Sequence, residues 1–129
     1  MGDIFVFTGK IEGTTTGGTL ALRSDWVYDS VTQVKIPSGV VAKIWGMKIE
    51  GDGETLAVVE HSKDGGETFV PLIPLKLGAK GHVELENTRR PYVIVGKDGN
   101  DVLQVTWEQP SAAKAFVTLT VEFAEAKER

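Results

Sequence analysis

The chain has 129 residues, 41% of them hydrophobic and 25% charged, with a net charge of -4, 15 glycines and no cysteine. That length holds one domain with a real core and is too short for a multi-blade propeller. Lack of cysteine rules out disulfides, thiolate metal sites and a cysteine nucleophile, and the acidic balance, with Arg89-Arg90 the only basic pair, argues against a broad nucleic-acid-binding surface.

Period-two alternation runs through the whole chain. Residues 4–12 form the first predicted strand, and a Gly/Thr run at 13–18 separates it from a second at 19–27. Residues 31–36 lead into the turn Pro37-Ser38-Gly39. The longest candidate, 40–50, ends in Gly51-Asp52-Gly53-Glu54, where Asp-Gly favours the positive φ of a hairpin turn. Residues 55–61 and 68–73 alternate on either side of a predicted hairpin tip, and 83–88 and 92–95 follow, the latter closed by Gly96-Lys97-Asp98-Gly99-Asn100. The last two strands, 103–108 and 115–123, are joined by the turn-forming Gln109-Pro110-Ser111-Ala112. In the final strand Val117, Leu119, Val121 and Phe123 share one face, and Phe116, Thr118, Thr120 and Glu122 share the other. The Asp-Gly turns at Asp52, Asp64 and Asp98 read as independent hairpins, and 124–129 reads as a frayed or short helical tail. The rhythm predicts about eight to ten strands in a single all-β domain over residues 1–129, an antiparallel sandwich or barrel.

The hairpin tip carries the chain's most specific local pattern. Its spacing Ser62-x-Asp64-x-Gly66-x-Thr68-Phe69 resembles the Asp-box, a turn motif of sialidase-type propeller blades that also occurs in other β-proteins. The physics of such a turn needs no ligand. Asp and Ser side chains accept backbone N–H groups across the turn, Gly65 and Gly66 tolerate left-handed geometry, and Thr68 and Phe69 are expected to re-enter the sheet with the ring packed inward. A calcium site built from Asp52, Glu54, Asp64 and Glu67 is the competing reading. Calcium needs six to eight oxygens in one place, and no D-x-D-x-D loop occurs, so no metal ligand is assigned.

The other constellations of catalysis are missing from the sequence. His61 and His82 lack metal-ligand spacing, there is no G-x-S-x-G, P-loop or dinucleotide-binding fingerprint, and Glu84 and Glu86 alternate outward as solvated strand carboxylates do. No catalytic or cofactor-binding residue is assigned, and the chain is expected not to be an enzyme. Among the aromatics, Trp107 shares a face with Leu103 and Val105, and Trp45 shares its parity with Met47 and Ile49, which makes both core residues. Trp26 and Tyr28, after a loop, form the one candidate platform for stacking a sugar ring, so a carbohydrate-binding sandwich is the alternative function.

Several strands are apolar on both parities. Phe5 and Phe7 oppose Ile4 and Val6, Val58 neighbours Val59, and Val40, Ala42 and Ile44 oppose Val41, Trp45 and Met47. A sandwich buries one face of each sheet, so a doubly apolar strand calls for a cover on its outer face, most simply a partner subunit, with a short strand or loop of the same chain as the alternative.

The order Lys35-Ile-Pro-Ser-Gly39, then the run from Thr55 to Phe69, then Arg90-Pro-Tyr-Val-Ile-Val95 and the closing strands at 102–107 and 115–123, resembles the single jelly-roll modules of viral capsid, turret and head-decoration proteins. The resemblance implies a jelly-roll sandwich without catalytic residues, a homo-oligomer such as a trimer or pentamer on a larger protein shell, and a place in the virion or in the cytoplasm of a producing cell. No cofactor, nucleic-acid or membrane partner is expected. No apolar run approaches the roughly 20 residues of a membrane helix, and no secretory signal is read at the start.

Overall fold

The computed structural model describes residues 3–24, 29–86 and 90–125. They form eleven strands: β1 (Asp3–Thr14), β2 (Gly17–Thr19), β3 (Arg23–Ser24), β4 (Val34–Ile36), β5 (Val40–Gly51), β6 (Thr55–Ser62), β7 (Val70–Leu77), β8 (Gly81–Glu86), β9 (Tyr92–Val95), β10 (Asp101–Glu108) and β11 (Ala113–Glu125). The first sheet has the order β3-β1-β11-β5-β8, with β9 pairing the other half of β5; the second has the order β2-β10-β6-β7, with β4 on β10. Every pairing is antiparallel. The chain is therefore an all-β antiparallel sandwich of jelly-roll type, and it changes sheet at nearly every connection.

Alternation puts the apolar residues of both sheets between the layers. Ile11 of β1, Val117, Leu119 and Val121 of β11, and Ile44 and Ile49 of β5 meet Val59 of β6 and Leu103 and Val105 of β10, all essentially fully buried. Burying one such side chain stabilises the fold by roughly 1.5–3 kcal/mol. These residues define the core that orients every exposed face.

Several expectations need correction. Residues 124 and 125, placed in a tail, complete β11, paired with Val41 and Val40; residues 126–129 lie outside the described set. The strand expected at 68–73 begins at Val70, so Thr68 and Phe69 belong to the turn, and Phe69 is half-buried rather than packed into the core. Of the three Asp-Gly turns, only Asp64-Gly65 closes a hairpin. Asp52-Gly53 and Asp98-Gly99 carry the chain from the first sheet to the second, and Gly53 does not have positive φ. Both tryptophans assigned to the core are half-buried. Trp107 packs against the core from its edge. Trp45 faces outward, because β5 carries a bulge opposite Thr120 and Val121: Thr120 pairs with Gly46 and Val121 with Ile44, leaving Trp45 as the extra residue. Parity reverses there, so Ala42 and Ile44 on one side and Met47 and Ile49 on the other all point inward.

Candidate interaction surfaces

Three places bear on function: the Asp64 turn, the outer face of the first sheet, and one open end of the sandwich.

In the turn, Asp64 collects donors. Its Oδ1 accepts from the Ser62 hydroxyl at 2.6 Å, the Glu67 N–H at 3.1 Å and the Thr68 N–H at 2.9 Å, while its Oδ2 accepts from the Thr68 hydroxyl. Ser62 Oγ, buried at the end of β6, accepts from the N–H groups of Asp64 at 3.3 Å and Gly66 at 2.9 Å. Gly65 and Gly66 have φ of 78° and 100°, which side chains with a Cβ rarely adopt. The hydrogen bond from Ser62, then those from Thr68, hold the Asp64 carboxyl far below the ordinary aspartate range. A carboxylate with its oxygens so occupied by its own turn is a structural clasp. The other oxygens proposed for calcium are dispersed: Asp52 Oδ1 accepts from Lys114 N–H at 2.7 Å and Glu54 pairs with Lys76 at 3.1 Å. Among the described residues, no group of three or more His, Asp or Glu side chains is placed to hold a metal.

The outer face of the first sheet divides in two. At one end the rows run Lys10–Phe116–Glu50–His82 and Thr8–Thr118–Lys48–Glu84. This half is charged and internally paired: Lys10 reaches Glu12 at 3.1 Å and lies over the Phe116 ring, and Lys48 contacts Glu50 at 2.5 Å and Glu84 at 3.9 Å. The Lys48–Glu50 hydrogen bond raises the lysine pKa and lowers that of the glutamate. Glu84 is thus a strand-surface carboxylate beside a lysine, as its outward alternation predicts.

At the other end the rows are Ala124–Val41–Val95, Ile4–Glu122–Lys43–Val93 and Val6–Thr120–Gly46, with the bulged Trp45 beside them. Ile4, Val93 and Val95 are 59%, 52% and 47% exposed. Trp45 Nε1 donates to Glu122 Oε1 at 2.8 Å, so the indole is pinned across the sheet by its polar edge. This apolar half has no covering element among the described residues.

Between the sheets at that same end, Phe5, Phe7, Phe123, Val31, Val34 and Val40 line an open cleft of about 580 Å³. Phe5 stacks near Phe7 and meets Phe123 edge-on, with centroids 6.2 Å and 5.4 Å apart. Ser24 pairs with Phe7 and so faces this interior; its buried hydroxyl has no hydrogen-bond partner among the described residues. The expected sugar platform, Trp26 and Tyr28, lies outside the described residues.

One polar pair escaped the sequence reading. His61 Nε2 and Asp101 Oδ1 lie 2.8 Å apart on adjacent strands β6 and β10, both largely buried. They are 40 residues apart in sequence, so no local spacing announces them.

No family model and no curated protein matches the sequence. Among solved structures the chain is similar to a Bacillus endospore appendage protein that forms disulfide-linked pili, with 11% identity, a TM-score of 0.50, and 98% of this chain and 92% of that one covered. It is also similar to the Eiger TNF of S. frugiperda, with 9% identity, a TM-score of 0.51, and 99% and 94% covered. A Clostridium thermocellum endo-1,4-beta-D-xylanase in complex with xylohexaose matches over 98% of this chain and 30% of its own, with 10% identity and a TM-score of 0.49. At such identities the likeness is one of fold.

Proposed function

We propose that the chain is a non-enzymatic structural subunit that self-associates by burying the apolar half of the first sheet's outer face. The observation that carries this reading is the contrast within that face. One half is laced with Lys–Glu ion pairs, whereas among Ile4, Val6, Val41, Val93 and Val95 the charges are confined to Lys43 and Glu122 in a single row, and Glu122 is held by Trp45. Apolar side chains gathered on an exposed sheet face mark a contact site. The finer reading, a trimer or pentamer in a viral capsid, turret or decoration layer, draws on the jelly-roll resemblance. Sandwiches of this class also serve as fibre subunits, as in the Bacillus appendage protein.

Light scattering coupled to size exclusion tests the reading. The wild-type chain should run at an oligomeric mass, and the double substitution Ile4→Lys with Val41→Lys should reduce it to the monomer while the far-ultraviolet circular dichroism stays unchanged. A wild-type monomer at its highest soluble concentration would refute self-association.

A further inference from the structure

On one side of the sandwich three strands end the sheets, and they are protected differently. Strand β7 carries Pro71 and Pro74, which cannot donate to another strand, and β8 carries Glu84 and Glu86. Strand β9, Tyr-Val-Ile-Val, has neither a proline nor a charge. Among the described strands it pairs only with β5.

The free hydrogen-bonding groups of β9 can be assigned. Gly96 N–H donates to Val40 O at 2.8 Å, so Gly96 turns its polar groups toward β5. In an antiparallel ladder that orientation alternates, which turns Ile94 and Tyr92 the same way and leaves the N–H and C=O of Val93 and Val95 pointing off the edge. No described residue hydrogen-bonds to them. A cleft of about 390 Å³ runs along this edge, with His61, Lys63 and Leu72 on its far side, so there is space for another strand.

We infer that a second copy of the chain fills this place, its β9 pairing antiparallel with the first across a two-fold axis at Ile94. This rests on the self-association reading and names one of its contacts. The segment is complementary to itself in that register. Val93 of each copy faces Val95 of the other, so the two outward-pointing residues on each side exchange four backbone hydrogen bonds. Tyr92 falls opposite Gly96, a position kept free of a side chain because a Cβ there would sit 2.3 Å from Pro37 O. Arg90 falls opposite Asp98, both exposed. Shifting the register by two residues toward the N-terminus would instead pair Val95 with Pro91, which has no N–H to give. An isologous contact demands such self-complementarity. The pairing would join the two first sheets into one and make their apolar halves continuous through Val93, Val95 and Val41.

The test uses Val93→Pro, which removes an outward N–H and leaves the β5-facing bonds of Tyr92 and Ile94 in place, with mass read by light scattering and folding by circular dichroism. The expected result is a folded chain whose association is weakened more than tenfold. Arg90→Asp should weaken association similarly, and adding Asp98→Arg to it should restore it. In the wild type, amide exchange at Val93 and Val95 should slow as concentration rises. If the wild type assembles but Val93→Pro and Arg90→Asp assemble equally well, or the Val93 and Val95 amides exchange freely in the assembly, edge pairing is wrong while packing through the outer face stands. Slowing of those amides only on addition of a different protein would likewise overturn self-pairing. A wild-type monomer at every concentration would remove self-association itself.

Discussion

Asp64-Gly65 and Asp52-Gly53 are the same dipeptide following a strand, yet one returns the chain to its own sheet and the other sends it to the opposite one. The difference lies in where each aspartate finds its partners. Asp64 is bonded entirely within residues 62–68, to Ser62, Glu67 and Thr68. Asp52 is bonded to Lys114, 62 residues away, through Oδ1 at 2.7 Å and through its own N–H, which donates to Lys114 O at 3.1 Å. A locally satisfied turn dictates its own geometry, whereas one tied to a distant strand takes the direction that strand imposes. Asp98 is intermediate: it bonds Asn100 N–H locally at 3.0 Å, but its loop crosses between sheets.

This contrast can be broken residue by residue. Asp64→Ala should have the largest effect, since it strips the acceptors from several donors at once; a fall in melting temperature on the order of 5 °C is expected by calorimetry. The same carboxylate sets a pH dependence. Its pKa in the fold lies below the ordinary 3.8, so its contribution is complete above that value and is lost as the pH falls through the folded-state pKa. The stability gap between wild type and Asp64→Asn, measured by denaturant titration, should therefore be constant above pH 3.8 and close progressively in acid. A gap that survives full acidification would show that the carboxylate is not the clasp.

Asp52→Ala removes one long-range acceptor and should cost about 1 kcal/mol. Because Asp52 ties β5 to the start of β11, its effect should show in faster amide exchange at Lys114 rather than at the neighbouring turn. Asp98→Ala, examined at dilution where association does not contribute, should cost under about 0.5 kcal/mol. If Asp98 proved the costliest of the three, the ordering by number and reach of partners would fail.

Strand identity was legible because each strand alternates on its own. The parity of β11 is visible in Val117, Leu119 and Val121, and all three are buried. The Asp64 turn was legible for the same reason, since every partner of the Asp64 carboxylate lies within a few residues; of the turn's bonds, that from Gly65 N–H to Asn100 O at 2.9 Å is the long-range one. What the sequence hid depends on distant pairing. The outward turn of Trp45 follows from a bulge that exists only against Thr120 and Val121. The crossover at Asp52 depends on Lys114, and His61 finds Asp101 only because β6 and β10 are neighbours. Doubly apolar strands pointed to an uncovered face, but its division into charged and apolar halves required the register that aligns Ile4 with Glu122, Lys43 and Val93.

The bulge at Trp45 makes β5 tolerant of a change in length at one point only. Ile44 and Met47 both face inward with two residues between them, so losing either Trp45 or Gly46 would restore plain alternation and leave the flanking residues on the core side. The same deletion at Lys48 would either swing one flank of the strand outward, with the bulge kept, or cancel the bulge and turn the buried Met47 outward. Single-residue length variation in this long central strand is thus confined by geometry to the spot that presents its tryptophan to the outside.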